Sequence, residues 1–205
     1  MRYVYIRDDD VYEADKTFKK FVEVVGDIPI SYAVIPSRIS KRCVNFLKGK
    51  DVIQHGSIHV KGQDSIRDGY YMMNKMFDKW TKMYAPPWNT VTDLELLILN
   101  EMGYVGITSD SDASKRIVEY ELNLCSFPIT VEIRKEAFMD EHFKDFMKLI
   151  DDFIFNNDVI GILMHHKEVA NFDNLRVFLD RLGDYSDTTI MNFKTAFSDD
   201  YICLD

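Results

Sequence analysis

His55 and His59 stand four residues apart, directly after the apolar run Asp51-Val52-Ile53-Gln54, and an acidic triplet, Asp8-Asp9-Asp10, follows an apolar run at the start of the chain. Two imidazoles and a carboxylate, with positions left for water, are the donor set that a catalytic divalent ion of the zinc type takes. Three adjacent carboxylates repel one another unless a cation or an arginine compensates them, and a metal would relieve that repulsion. His165-His166 follow the apolar run Ile160-Gly161-Ile162-Leu163-Met164, and a histidine at a strand end is placed to act as a general acid. In Tyr84-Ala85-Pro86-Pro87-Trp88-Asn89 the paired prolines fix an extended backbone. A tryptophan beside them would form a sugar-stacking wall or a packed rim.

Each of these features has a plainer reading. A charge run is ordinarily a solvated loop or a helix cap, two histidines at this spacing are often a surface or capped core pair, and a double proline makes a rigid turn whatever its purpose. What sets the plainer readings aside is convergence. Four of the five histidines and the acidic triplet fall just after strand-like runs, and separate strand ends are how α/β folds assemble a site.

The elements that must do this positioning alternate. Strand patterns cover residues 2–6, 28–34, 52–54, 104–108, 129–133, 159–164 and 188–191, and helical periods cover 16–25, 40–47, 68–83, 92–102, 136–155 and 171–182. Thr92-Asp93-Leu94-Glu95 reads as a capping box, with Gly103 placed to end the same helix. Repeated βα units imply a mainly parallel sheet with ligands at the carboxyl ends of its strands. The chain is short for an eight-unit barrel, and with no repeat or linker it reads as one domain over residues 1–205.

With 46% hydrophobic and 13% aromatic residues, the chain can bury one ordinary core. A net charge of -9 argues against nucleic acid or an anionic membrane as partner. Cys43, Cys125 and Cys203 form no CxxC and read as ordinary thiols. The N-terminus enters a strand-like run with no secretory pattern, and no apolar stretch approaches about eighteen residues, so a cytoplasmic location is expected. Asp27, Asp51 and Asp199-Asp200 read as solvated charges, His142 as a water-facing helix residue, and Trp80, within the helix expected at 68–83, as core.

Taken in order, the acidic pair, the His-x-x-x-His, the Pro-Pro-aromatic loop and Leu163-Met164-His165 resemble the polysaccharide deacetylases, carbohydrate esterase family four, also called the NodB-homology domain. The resemblance runs from Asp9 to His165. It implies a distorted (β/α) barrel, with seven strands as one count, and a hydrolase that removes an acetyl or other acyl group from an amino sugar or glycan. It further implies Asp9 as catalytic base, Asp10, His55 and His59 as ligands to a divalent metal (Zn²⁺, or Co²⁺, Ni²⁺ or Mn²⁺), His165 as the acid that protonates the leaving group, and Pro87, Trp88 and Asn89 against the substrate. An alternative register makes Asp8 the base and Asp9 the ligand. His166 takes the place of a residue often acidic in the family.

The chain also departs from the family pattern. Ala85 stands where the family has an arginine that braces the base, and Arg7 is the nearest substitute; Val11 stands where a glycine usually follows the acidic pair. Asp110 and Asp112 are the candidates for the family's fourth motif. Two other functions remain open: a deacylase of a non-sugar amide or small precursor, and a non-catalytic carbohydrate-binding module.

Overall fold

The computed structural model describes residues 1–60, 65–110 and 112–198. Its described residues contain nine strands: β1 (Arg2–Val11), β2 (Ser31–Val34), β3 (Asp51–His55), β4 (Met83–Ala85), β5 (Gly106–Ile107), β6 (Cys125–Ser126), β7 (Val131–Glu132), β8 (Val159–Met164) and β9 (Thr188–Met191). All pairs are parallel, in the order β6-β5-β4-β3-β2-β1-β8-β7, with β9 also on β1. The connections carry α1 (Lys16–Val25), α2 (Lys41–Phe46), α3 (Ile66–Met76), α4 (Asp93–Glu101), α5 (Asp112–Glu119), α6 (Asp140–Asn156), α7 (Phe172–Gly183) and α8 (Phe193–Ser198).

The sheet curls into a barrel, and one extended segment joins its two sides. Phe127 and Ile129 donate to the carbonyls of Ile107 and Ser109 at 2.9 and 2.8 Å, and then Thr130 and Ile133 donate to Gly161 and Leu163 at 2.8 Å each. A Cβ on Gly161 would lie 2.1 Å from the Pro128 carbonyl oxygen, so the crossing needs glycine there. Strand β1 is long enough to serve three neighbours: β8 pairs along Tyr3 to Asp8, while β9 pairs with Arg2 to Tyr5 and β2 with Arg7, Asp8 and Val11.

Period-two alternation along β1 sorts its side chains. Val4 and Ile6 pack with Phe18, Phe21, Phe178 and Leu182 in the helix layer, whereas Tyr5 faces the barrel interior with Ala33, Ile53, Phe127 and Phe193. The helices follow local rules. Asp15 caps α1 by accepting from the Phe18 amide, and Thr92 and Glu95 close a capping box on α4, followed by Gly103 at φ +69°.

Several expectations are corrected. The helix expected at 68–83 ends at Met76, and Met83–Ala85 is a buried strand; Trp80 therefore lies beyond the helix, half-buried against two core clusters. Strand β6 and helices α5 and α8 were not anticipated. Asp51 is not solvated but 4% exposed, taking hydrogen bonds from Ser31, Thr81 and the Lys194 amide, so that it ties the start of α8 across the base of the barrel. Burial raises its carboxyl above the ordinary 3.8, and those hydrogen bonds oppose the rise. Cys125 is disulfide-bonded rather than an ordinary thiol, and Cys43 is free and buried, its thiol pushed up to about 12 by desolvation and nearby carboxylates. Cys203 and Asp199-Asp200 lie outside the described residues. Among the described residues no helix is long and apolar enough to cross a membrane.

Candidate active site

The three aspartates of the triplet go to three different places. Asp8 points into the helix layer, fully buried, and accepts from the His166 amide at 2.8 Å and meets its imidazole Nδ1 at 3.0 Å. Asp9 points into the barrel with Arg7, two residues earlier on the same face. Asp10 lies at the rim with φ +58°, a left-handed backbone that turns it off the strand's alternation.

Arg7 is 1% exposed and meets both Asp9 oxygens, Nε to Oδ1 at 2.7 Å and Nη2 to Oδ2 at 2.8 Å. Its remaining donors go to the Thr108 carbonyl at 2.6 Å and to the side chain of Asn89. Arg7 thus stands against the base candidate from the strand itself, while Ala85 contributes its carbonyl to His55.

Asp10, His55 and His59 converge. One ligand atom from each lies within 4.8 Å of the others, and both imidazole Nε2 atoms are 3.5 Å from Asp10 Oδ1. Donors at about 2.0–2.1 Å from a tetrahedral ion would be about 3.3 Å apart, so the spacing fits a shared metal. The His55 Nδ1 lies 2.9 Å from the Ala85 carbonyl. A proton on Nδ1 for that bond leaves the Nε2 lone pair facing Asp10, the outer-shell arrangement that fixes a histidine ligand.

Burial would raise Asp10, but His55 set against it and the charges of His59 and His165 outweigh that and hold the carboxyl well below 3.8. Burial would lower His55, yet the charge of Asp9 and the hydrogen bond to Asp10 lift it above 6.5 against an opposing push from Arg7.

His165 and His166 diverge, as neighbours on a strand end must. His166 is fully buried with Asp8 and packs 4.8 Å from the Phe18 ring. His165 lines a cavity of about 260 Å³ together with Asp9, Asp10, His55, His59, Trp88 and Asn89. Its Nδ1 is buried and has no hydrogen-bond partner among the described residues.

The Trp88 ring lies 5.0 Å from that of His59, tilted by 32°. Asn89 lines the cavity but spends its side-chain oxygen on Arg7; Pro87 is buried and is not among the lining residues. Asp110 and Asp112 also lie outside that lining, Asp112 at the start of α5. Leu163, which opens the Leu163-Met164-His165 motif, is also in the wall, and Glu132 and Arg134, which complete it, were not singled out from the sequence. The signal was there: Val131 and Ile133 are buried and Glu132 and Arg134 exposed, a period-two pattern that sets the two charged residues on one side of the strand.

The backbone supplies an independent mark. Among the described residues five non-glycine positions have positive φ, and Asp10, His59, Trp88 and Asn89 are four of them, all on this cavity. Left-handed backbone at a bulky residue such as Trp88 costs about 1–3 kcal/mol, and such costs collect where function holds them.

No protein-family model and no curated protein sequence matches the chain. Solved structures do. A Mycobacterium smegmatis protein assigned to the polysaccharide deacetylases superposes with a TM-score of 0.76 at 11% identity, over 96% of this chain and 89% of that one. A family 4 acetyl xylan esterase from Clostridium thermocellum, in complex with a cobalt ion, gives 0.68 at 9% identity over 96% and 91%. A deacetylase termed T48, with substrate, gives 0.65 at 10% over 97% and 92%, and a mutant of a family 4 pseudoenzyme gives 0.60 at 12% over 95% and 66%. The chain has the (β/α) barrel fold of the polysaccharide deacetylases, carbohydrate esterase family 4.

Proposed function

We propose that this protein is a metal-dependent hydrolase that removes an N-acetyl or related acyl group from an amino sugar or glycan. The observation that carries this reading is the convergence of Asp10, His55 and His59 on one point beside Asp9. Those three residues would hold Zn²⁺, with Co²⁺, Ni²⁺ or Mn²⁺ as alternatives; a bound ion supplies Lewis acidity to the acyl carbonyl and to water. A solved neighbour that carries a cobalt ion supports the choice of a divalent metal.

The chain's own residues do the rest. Asp9, its two oxygens fixed by Arg7, accepts the proton of the attacking water. The Asn89 amide is engaged with the Pro86 carbonyl at 3.1 Å, so the backbone donor for the developing oxyanion falls to Trp88. His165 delivers a proton to the nitrogen as the C–N bond breaks, releasing acetate and the free amine. The Trp88 ring, 53% exposed, covers the sugar. A cavity of about 260 Å³ suits one acylamino group and part of its ring, which keeps a small amino-sugar precursor or a non-sugar amide within reach as substrates. The altered third motif and the pseudoenzyme neighbour favour the non-catalytic carbohydrate-binding alternative; Arg7 on Asp9 weighs against it.

The test is zinc stoichiometry and acetate release across soluble N-acetylated sugars, non-sugar amides and insoluble chitin or peptidoglycan, in the parent and in Asp10→Ala. One ion per chain, lost with Asp10, and acetate release that requires it are expected. Acetate release surviving chelation, or sugar binding with no acetate release at any metal loading, would sink the hydrolase.

A further inference from the structure

A second and larger cavity, of about 510 Å³, lies at the other end of the barrel, where β3 and β4 begin. It shares no lining residue with the candidate active site. Leu47, Val52, Phe77 and Trp80 give it an apolar wall. Leu47 and Val52 are each 1% exposed and Phe77 7%, so this wall is an outer face of the core rather than a loose surface patch.

The charges around that wall reverse the character of the chain. Asp and Glu outnumber Lys and Arg by 34 to 25 overall, yet Lys48, Lys50, Lys79 and Lys194 all line this cavity. They come from three separate segments: the turn between α2 and β3, the connection from α3 to β4, and the first turn of α8. Two carboxylates line it as well. Asp51 is committed to Ser31, Thr81 and the Lys194 amide, and Asp78 is exposed. Lysines reach across apolar surface with their stems and present charge at its margin, so an apolar wall lined by four lysines, of which Lys50 has its ammonium over the Tyr32 ring at 5.8 Å, matches a ligand with an apolar body and an acidic head. The volume lies within the range that encloses a drug-sized molecule.

We propose that this basal cavity binds a small amphiphilic anion, an aromatic or short acyl body bearing one carboxylate, sulfonate or phosphate. The two tryptophans make the site readable, because Trp80 lines this cavity and Trp88 the other. In a Trp88→Phe protein, anilinonaphthalene sulfonate should bind one molecule per chain and quench Trp80 by energy transfer. The uncharged N-phenylnaphthylamine should bind at least about tenfold more weakly. Lys48 and Lys79 are exposed, so Lys48→Glu with Lys79→Glu should leave the melting temperature and near-ultraviolet dichroism in place and weaken the probe by about tenfold or more. Added salt should weaken binding to the unsubstituted surface, a check that needs no variant. Dodecanoate should displace the probe and inorganic phosphate should not.

Binding indifferent to the lysine changes and to salt would overturn the proposal. So would displacement by inorganic phosphate alone, which would make this a simple anion site, or loss of probe in Asp10→Ala, which would place it in the other cavity. A version ending at Ser198 that binds when the full chain does not would assign the cavity to the chain's own last residues and overturn it too.

Discussion

Arg7 and Asp9, two residues apart on β1, meet inside the barrel through two guanidinium nitrogens and both carboxylate oxygens, at 2.7 and 2.8 Å, with 1% and 3% of their surfaces exposed. Removing one partner of so buried a pair strands the other charge. Arg7→Met should therefore destabilise the protein by about 3 kcal/mol or more and lower turnover, while zinc stoichiometry stays at the parent value. Asp9→Asn should keep the metal and lose turnover by about 10²-fold or more. Denaturant melts and metal analysis on both variants check this; an Asp9→Asn protein that sheds zinc would move the ligand role one residue back.

The two adjacent histidines should separate by phenotype. His166→Ala leaves the fully buried Asp8 without its imidazole partner and should cost about 3 kcal/mol. His165→Ala should leave stability within about 0.5 kcal/mol and suppress acetate release, with its deficit smallest for substrates whose leaving amine needs least protonation. Thermal melts beside rate measurements decide it, and stability lost only at His165 would reverse the assignment.

Trp88 holds a left-handed backbone, at φ 60° and ψ 18°, that favours glycine. Its side chain is 53% exposed, so little core packing depends on it. Trp88→Gly should raise stability by about 1 kcal/mol while raising KM for a sugar substrate. A drop in melting temperature would show that the ring is a structural prop on His59 instead.

Asp51 gives the protein a pH signature. Burial raises its folded-state carboxyl above 3.8, so the folded protein binds that proton more tightly than the unfolded chain does. Its contribution is fully present below about pH 3.8 and is lost as pH rises through the folded value. Asp8 is raised by burial in the same sense, against opposing contributions from His166. The melting temperature of Asp51→Asn relative to the parent should therefore climb as pH rises from about 4. A constant difference across that window would mean that Asp51 titrates as it does in water.

Much of the scaffold was legible because local rules agreed with the tertiary outcome. Lys16–Val25, Val159–Met164 and Thr188–Met191 fall at the boundaries that periodicity and β-branching set. What escaped was short or masked by polarity. Met83–Ala85 is buried on every residue and shows no alternation, so the helical period took in Met83 while Tyr84 and Ala85 were read with the proline loop. Strand β1 runs on past Ile6 because β8 and β2 both take up its backbone at Arg7 and Asp8 and β2 alone pairs again at Val11 after a register shift, whereas three carboxylates in a row look like a loop. Asp51 looked solvated because its partners, Ser31, Thr81 and the start of α8, are distant in sequence. The chemistry of the site could be listed residue by residue. Which side of a strand each faced could not, and Glu132 and Arg134 were missed for that reason.

Asp8, Asp9 and Asp10 are chemically the same side chain, and only backbone phase makes one a histidine clamp in the helix layer, one the partner of Arg7 and one a corner of the imidazole cluster. Information is thus stored in spacing rather than in residue identity. Deleting any one of the three would leave the same written string, Arg-Asp-Asp-Val, and would slide a carboxylate out of its compartment. Length change here is more damaging than many substitutions, and a comparison of sequences scored by residue type alone would overlook it.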